Sequence, residues 1–234
     1  MLDFLKAHIF EPAVDKMKPK PSSSKYRPSF AEEQTLVKRG CRLIAGIDEV
    51  GRGPLAGPVM AAAVILPLGI ETDWLHLVND SKQLTAETRE HLFPLICKAA
   101  IAFGIGEVSA EAIDKHGITR ATKMAMKAAI AKLHPKPDAL LIDFVRLPDI
   151  NLPQRCIIKG DCKSISIACA SIIAKVTRDR LMIELDKTYP GYGFARHKGY
   201  ATKEHLESIE RLGACPIHRM CFSPFRLELD LGNI

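Results

Sequence analysis

The chain commits early to a sheet. Three apolar runs of β character, CRLIAGID (41–48), GPVMAAAVIL (57–66) and AIAFGIGEVS (100–109), fall in its first half. A Gly/Pro turn joins the first two, and a helical stretch, TAETREHLFPLICKAA (85–100), separates the second from the third. Runs this apolar, bounded by turn residues, read as buried strands. Ahead of them FAEEQTLVKRG predicts a short helix ending at Gly40. Further on, residues 119–133 carry Ala, Met and Leu at helical spacing, with Thr119 as the expected N-cap. Two more strands follow, DALLIDF (138–144) and QRCIIKGD (154–161), and then helices over 166–189 and 202–213. Hairpin-linked strands first and crossover-linked strands later predict an α/β fold: a mixed five-stranded sheet flanked by helices, with a helical C-terminal region.

A chain of 234 residues fits one large domain, or one domain with an appendage. At that length it buries roughly 70–75% of its unfolded surface and needs no staples. The seven cysteines form no Cys-x-x-Cys pair, which predicts reduced thiols and a cytoplasmic location. A net charge of +6 suits a polyanionic partner, and equally a mildly basic protein without one. The most apolar stretch, VMAAAVILPLGI, is too short and proline-broken to span a bilayer, so no membrane partner is expected. The N-terminus, MLDFLKAHIFEPAVD, mixes acids with apolar residues and lacks the pattern of a secretory leader. Leu2, Leu5, Ile9 and Val14 could line one side of a short helix there, and KMKPKPSSSKYRPS (16–29) reads as a flexible basic linker. The expected division is therefore an N-terminal extension (1–30), a main domain (31–226) and a tail (227–234).

The strand ends carry the chemistry. Asp48 and Glu49 close the first strand, Asp143 closes LLID, and Asp161 closes IIKGD. One Asp after a strand is ordinarily a turn or cap residue. Four carboxylates on three adjoining strands would repel one another and titrate upward unless neutralised. A hard divalent cation held by oxygen ligands is the usual remedy. Neighbouring strand residues point to opposite faces, so Asp48 and Glu49 share a metal only where the strand bends, and the glycines at 51 and 53 make a bend cheap.

The loop EVGRGPLAG is neither a dinucleotide fingerprint nor a Walker loop, and taken alone it is equally a tight turn. Beside a carboxylate cluster it gains meaning. Bare glycines let backbone groups approach a ligand, Arg52 adds a cation suited to phosphate, and backbone groups can pair with a ribose 2′-hydroxyl.

Together GIDEVGRGPLAGPV, NDSKQLT (79–85), LLID, KGD, ASIIAKVTRD (170–179), YPGYGFARHKGY (189–200) and HRMCFSP (218–224) resemble the ribonuclease HII family, from about residue 31 to 226. The resemblance implies the ribonuclease H-like fold and a metal-dependent endonuclease acting on RNA–DNA hybrids and on ribonucleotide-containing duplex DNA. It implies two Mg²⁺ or Mn²⁺ ions held by Asp48, Glu49, Asp143 and Asp161, with cleavage 5′ of the ribonucleotide and roles in DNA replication and repair. It also implies that Gly51, Arg52 and Gly53 sense the 2′-hydroxyl and that Tyr200 stacks on the following sugar. Ser81, Lys82, Ser171 and Lys175 match positions near the phosphate backbone, and Arg178 and Lys198 are further candidates for phosphate contact. A monomer is expected. Phe144 stands where the family often has glycine, and Cys162 and Cys169 replace commoner small residues.

CPIHRMC (215–221) lacks the four-ligand set of a structural zinc site, and His197 reads as a surface histidine. Three rival readings are ribonuclease HIII, a non-catalytic hybrid binder, and another nuclease or integrase of the same fold. The Gly-Arg-Gly loop, the complete acidic set, and the HKGY and ASIIAKV blocks count against them in turn.

Overall fold

In the computed structural model, which describes residues 27–226, five strands form one sheet in the order β3-β2-β1-β4-β5. In chain order the elements are α1 (Ala31–Val37), β1 (Ile44–Val50), β2 (Val59–Ile65), α2 (Ala86–Ala99), β3 (Ala102–Val108), α3 (Ala110–His116), α4 (Ile118–Ala131), β4 (Ala139–Asp143), β5 (Gln154–Ile157), α5 (Ile165–Thr188), α6 (Phe194–His197) and α7 (Lys203–Leu212). The first three strands pair antiparallel, whereas β4 and β5 run parallel to β1.

The apolar runs explain the layering. All seven residues of β2 are buried, so both faces of the sheet must be covered. Alternation divides them: Val59, Ala61, Ala63 and Ile65 pack with α4, while Met60, Ala62 and Val64 pack with α2 and α5. Burying one such Val or Ile contributes about 1.5–3 kcal/mol. Helix α5 meets β1 at Gly46, where an added Cβ would stand 2.1 Å from the Ser166 carbonyl carbon. That approach sets the helix that carries Ser171 against the strand that carries Asp48.

Helix α1 secures the same junction. Buried Glu33 accepts from Ser164 Oγ (2.7 Å) and the Ser166 N–H (2.9 Å) at the start of α5, where a carboxylate also suits the helix dipole. Ser164 itself caps α5 by accepting from the Ile167 N–H at 3.2 Å. The docked chain begins ahead of α1, since Ser29 bridges to Ser164 and Phe30 packs on the α5 side of the core.

Some boundaries differ from expectation. Helix α4 starts at Ile118, and its N-cap is Gly117 at φ 74°, with Thr119 already inside the helix; only glycine turns cheaply there between α3 and α4. Strand β5 stops at Ile157, because Lys159 adopts a left-handed conformation and Gly160–Cys162 form a 3₁₀ turn. Asp161 therefore sits on a turn and not on a strand end. The expected N-terminal helix and most of the linker (1–26), like the tail (227–234), lie outside the described residues. Among the described residues no helix is long and apolar enough to cross a membrane.

Candidate active site

The parallel register of β1 and β4 pairs Ile47 with Ile142, so its next step sets Asp143 level with Asp48. Asp161 is brought in by the 3₁₀ turn, whose Gly160 N–H donates to Asp143 Oδ1 at 2.7 Å. Strand β1 stays in register through Val50, opposite Met60. It breaks just after the two acids, at Gly51 with φ 86°.

The acids feel one another. Asp48 is buried, and its carboxyl is pushed well above the usual range by burial first and then by Glu49 and Asp143, with the Ser171 hydroxyl opposing. Glu49 is raised by burial, against the pull of Arg52, whose Nη1 lies 3.4 Å from Glu49 Oε1. Asp161 is pushed up to about 6 by burial, by Asp80 and by Asp143, against Lys82. Burial works against the Lys82 ammonium, yet Asp80, Asp161, Asp48 and Asp143 outweigh it and raise its pKa. Glu49 Oε2 is buried with no hydrogen-bond partner. An orphaned carboxylate oxygen amid mutually opposed acids fits a cation, because it offers what hard divalent ions take.

Sequence reasoning missed Asp80. Its carboxylate, that of Asp161 and the Cys162 sulfur lie within 4.8 Å of one another, a tighter group than the four expected acids make. Asp80 also accepts from the Lys82 N–H at 2.9 Å, shaping the turn that aims Lys82 at the site. Its signal was the acid inside NDSKQLT. The Cys162 thiol is pushed up to about 11 by burial and Asp161, so it stays neutral and makes a poor ligand for a hard ion.

The expected phosphate contacts separate. Ser81 and Ser171 share a hydroxyl hydrogen bond of 2.8 Å between the NDSK loop and α5. Lys175 is bound to Asp179 at 2.7 Å, and Lys198 turns its amine to the Ala195 carbonyl. Arg178 is a correction: it is fully buried and donates to the carbonyls of Ala56, Pro58 and Lys198, so it has no access to phosphate. Gly53 and Tyr200 are neighbours, since a Cβ on Gly53 would lie 3.9 Å from Tyr200 Cε1.

Tyr200 is 42% exposed, yet its backbone is held from beneath. The Cys215 N–H donates to His218 Nδ1 (2.8 Å), His218 Nε2 meets His205 Nε2 (3.1 Å), and His205 Nδ1 meets the Tyr200 carbonyl (2.8 Å). One tautomer set satisfies this chain: both rings neutral, His218 donating from Nε2 and His205 from Nδ1. His197, expected as a surface histidine, is instead half-buried and engaged with backbone at both ring nitrogens, with Nε2 on the Tyr192 carbonyl and Nδ1 accepting from the Gly199 N–H.

Residues 45–224 match the family model described as Ribonuclease HII. A protein named Ribonuclease HII from Dehalococcoides mccartyi is 54% identical over 204 residues, covering 87% of this chain and 97% of the relative. Another of that name from Acetivibrio thermocellus is 55% identical over 208 residues, covering 89% and 80%. Among solved structures, ribonuclease H2 from Pyrococcus horikoshii superposes with a TM-score of 0.64 at 27% identity, covering 82% of this chain and 99% of that one.

Proposed function

The chain belongs to the ribonuclease HII family, and from that membership we propose a metal-dependent endonuclease that cuts both RNA–DNA hybrids and duplex DNA holding single ribonucleotides. It is a ribonuclease H, a phosphodiester hydrolase. The finer reading adds incision on the 5′ side of the ribonucleotide, leaving a 3′-hydroxyl and a 5′-phosphate. The observation that carries the metal dependence is the unpartnered, buried Glu49 Oε2 beside Asp48, Asp143 and Asp161.

Those four carboxylates are the residues that would hold Mg²⁺ or Mn²⁺. When bound, the ions supply Lewis acidity at the scissile phosphate, for the entering water and the leaving 3′-oxygen. The protein's own groups bind and orient. Lys82, kept cationic by the acids around it, attracts the phosphate backbone. The Ser81–Ser171 pair fixes the NDSK loop against α5. The Gly51–Gly53 loop lies against the ribose, and Tyr200 stacks on the sugar beyond it. Lys175 acts through Asp179, which also draws Arg89 to 3.9 Å.

The test is cleavage of end-labelled duplex DNA with one ribonucleotide, beside an all-DNA duplex and a long RNA–DNA hybrid, each with Mg²⁺, Mn²⁺ or EDTA. A metal-dependent cut 5′ of the ribonucleotide is expected, with the all-DNA duplex intact and Asp48→Asn inactive but still binding substrate. Metal-dependent turnover by Asp48→Asn would overturn the ligand assignment.

A further inference from the structure

We propose that Arg178 and Arg219 are positioning residues for substrate selection: two buried guanidiniums that fix the 51–58 loop and join it to the turn carrying Tyr200. The inference rests on the reading of that loop and of Tyr200 given above.

Neither side chain reaches solvent, and among the described residues neither has a carboxylate within salt-bridge distance. Burying an unpaired charge is costly, so its donors must be satisfied by dipoles. They are satisfied by one stretch of backbone. Arg219 Nε and Nη2 donate to the Gly57 carbonyl, Nη2 also to Gly51 (2.6 Å), and Nη1 to Arg52 (2.9 Å). Arg178 donates at 3.0 Å each to Ala56, Pro58 and Lys198. Five carbonyls of the loop and one from the Tyr200 turn are thus bound by two side chains.

The planarity of the trans peptide gives this a functional consequence. A carbonyl and the N–H that follows it point in opposite directions. With the Gly51 and Arg52 carbonyls drawn onto Arg219, the N–H groups of Arg52 and Gly53 are turned away from it, and among the described residues neither finds an acceptor. Two successive free N–H groups beside Tyr200 are suited to an oxygen of the sugar that the ring abuts. Arg178 sets the spacing between the two parts, helped by the Leu55 N–H donating to the Gly199 carbonyl at 2.8 Å. Lysine carries the same charge but lacks the planar fork that spans several carbonyls.

The experiment compares wild type, Arg219→Lys, Arg178→Lys and, as an exposed control, Arg180→Lys. Three quantities are read: kcat/KM on duplex DNA with one ribonucleotide, the EDTA binding preference for that duplex over all-DNA, and the thermal shift with Mn²⁺. Arg219→Lys is expected to lose about a hundredfold in kcat/KM, the scale of a misplaced positioning group. Its binding preference falls toward one, with the Mn²⁺ shift intact. Should Arg219→Lys fail to fold, a double-mutant cycle of Arg178→Lys with Tyr200→Phe and Tyr200→Ala decides: non-additive losses are expected. A preserved binding preference, strictly additive losses, or a preference and Mn²⁺ shift that vanish together would each overturn the inference. Wild type that fails to prefer the ribonucleotide duplex would instead overturn the functional reading beneath it.

Discussion

Phe144 holds a φ of 57° directly after Asp143, with its side chain 65% exposed. A Cβ in that left-handed region costs about 1–2 kcal/mol, a cost that glycine would not carry. Phe144→Gly is expected to raise the free energy of unfolding by about 1 kcal/mol, read from the urea midpoint without metal; an unchanged or lower midpoint refutes this. Asp48 presents the converse case, a charge that burial and its acidic neighbours oppose. Metal-free Asp48→Asn should therefore melt at or above the wild-type temperature while losing cleavage, and a clear fall in its melting temperature would contradict the electrostatic account. At this scale the acids at 48, 49 and 143 were legible because apolar strands end in them, whereas Asp161 was read onto a strand end and is carried instead by the 3₁₀ turn after β5. Asp80 was not legible, because its importance depends on a loop meeting a turn some eighty residues away.

Between α6 and α7 the Tyr200 turn rests on two neutral imidazoles. His218 is lowered to about 4 by burial and by His205, against about 6.5 for an ordinary histidine. The unfolded chain therefore takes the proton first. The stabilisation is complete above pH 6.5 and is lost as the pH falls toward 4, by on the order of 3 kcal/mol. Asp48 and Asp161 titrate in the opposite sense, so the effect is isolated by comparison with His218→Gln in urea titrations at pH 7.5, 5.5 and 4.5. The wild-type advantage should shrink with falling pH; a constant gap would mean that His218 does not titrate on unfolding. The elements themselves were readable: β2 from its unbroken apolar run, α5 from its length. What sequence reasoning missed were the stops. Strand β5 ends at Ile157 because Lys159 turns left-handed, and no residue type announces that. Arg178 read as a phosphate contact for a similar reason, since burial is a property of the assembled fold.

At the scale of the whole molecule, the proposed metal site would couple stability to cations. Asp161 titrates near 6 when folded and near 3.8 when unfolded, so the metal-free fold loses stability as the pH rises from about 4 to 6. On the proposed function, a divalent ion would take the place of the proton. Mg²⁺ or Mn²⁺ at about a hundredfold over Kd should add roughly 2.7 kcal/mol, seen as a higher melting temperature at pH 7.5 and a smaller gain at pH 5. Equal gains at both values would place the ion elsewhere. The net charge of +6 adds a second whole-molecule expectation: affinity for duplex should fall linearly with salt on logarithmic axes. The arginine clamp also bears on how such an enzyme could be re-engineered. The carbonyls of Gly51 and Pro58 are held by side chains 168 and 120 positions further along. The glycine loop is therefore not a portable cassette. Grafted into another scaffold without α5 and the 217–219 segment, it would keep its letters and lose its shape, and so a designer must transplant three distant pieces together or none.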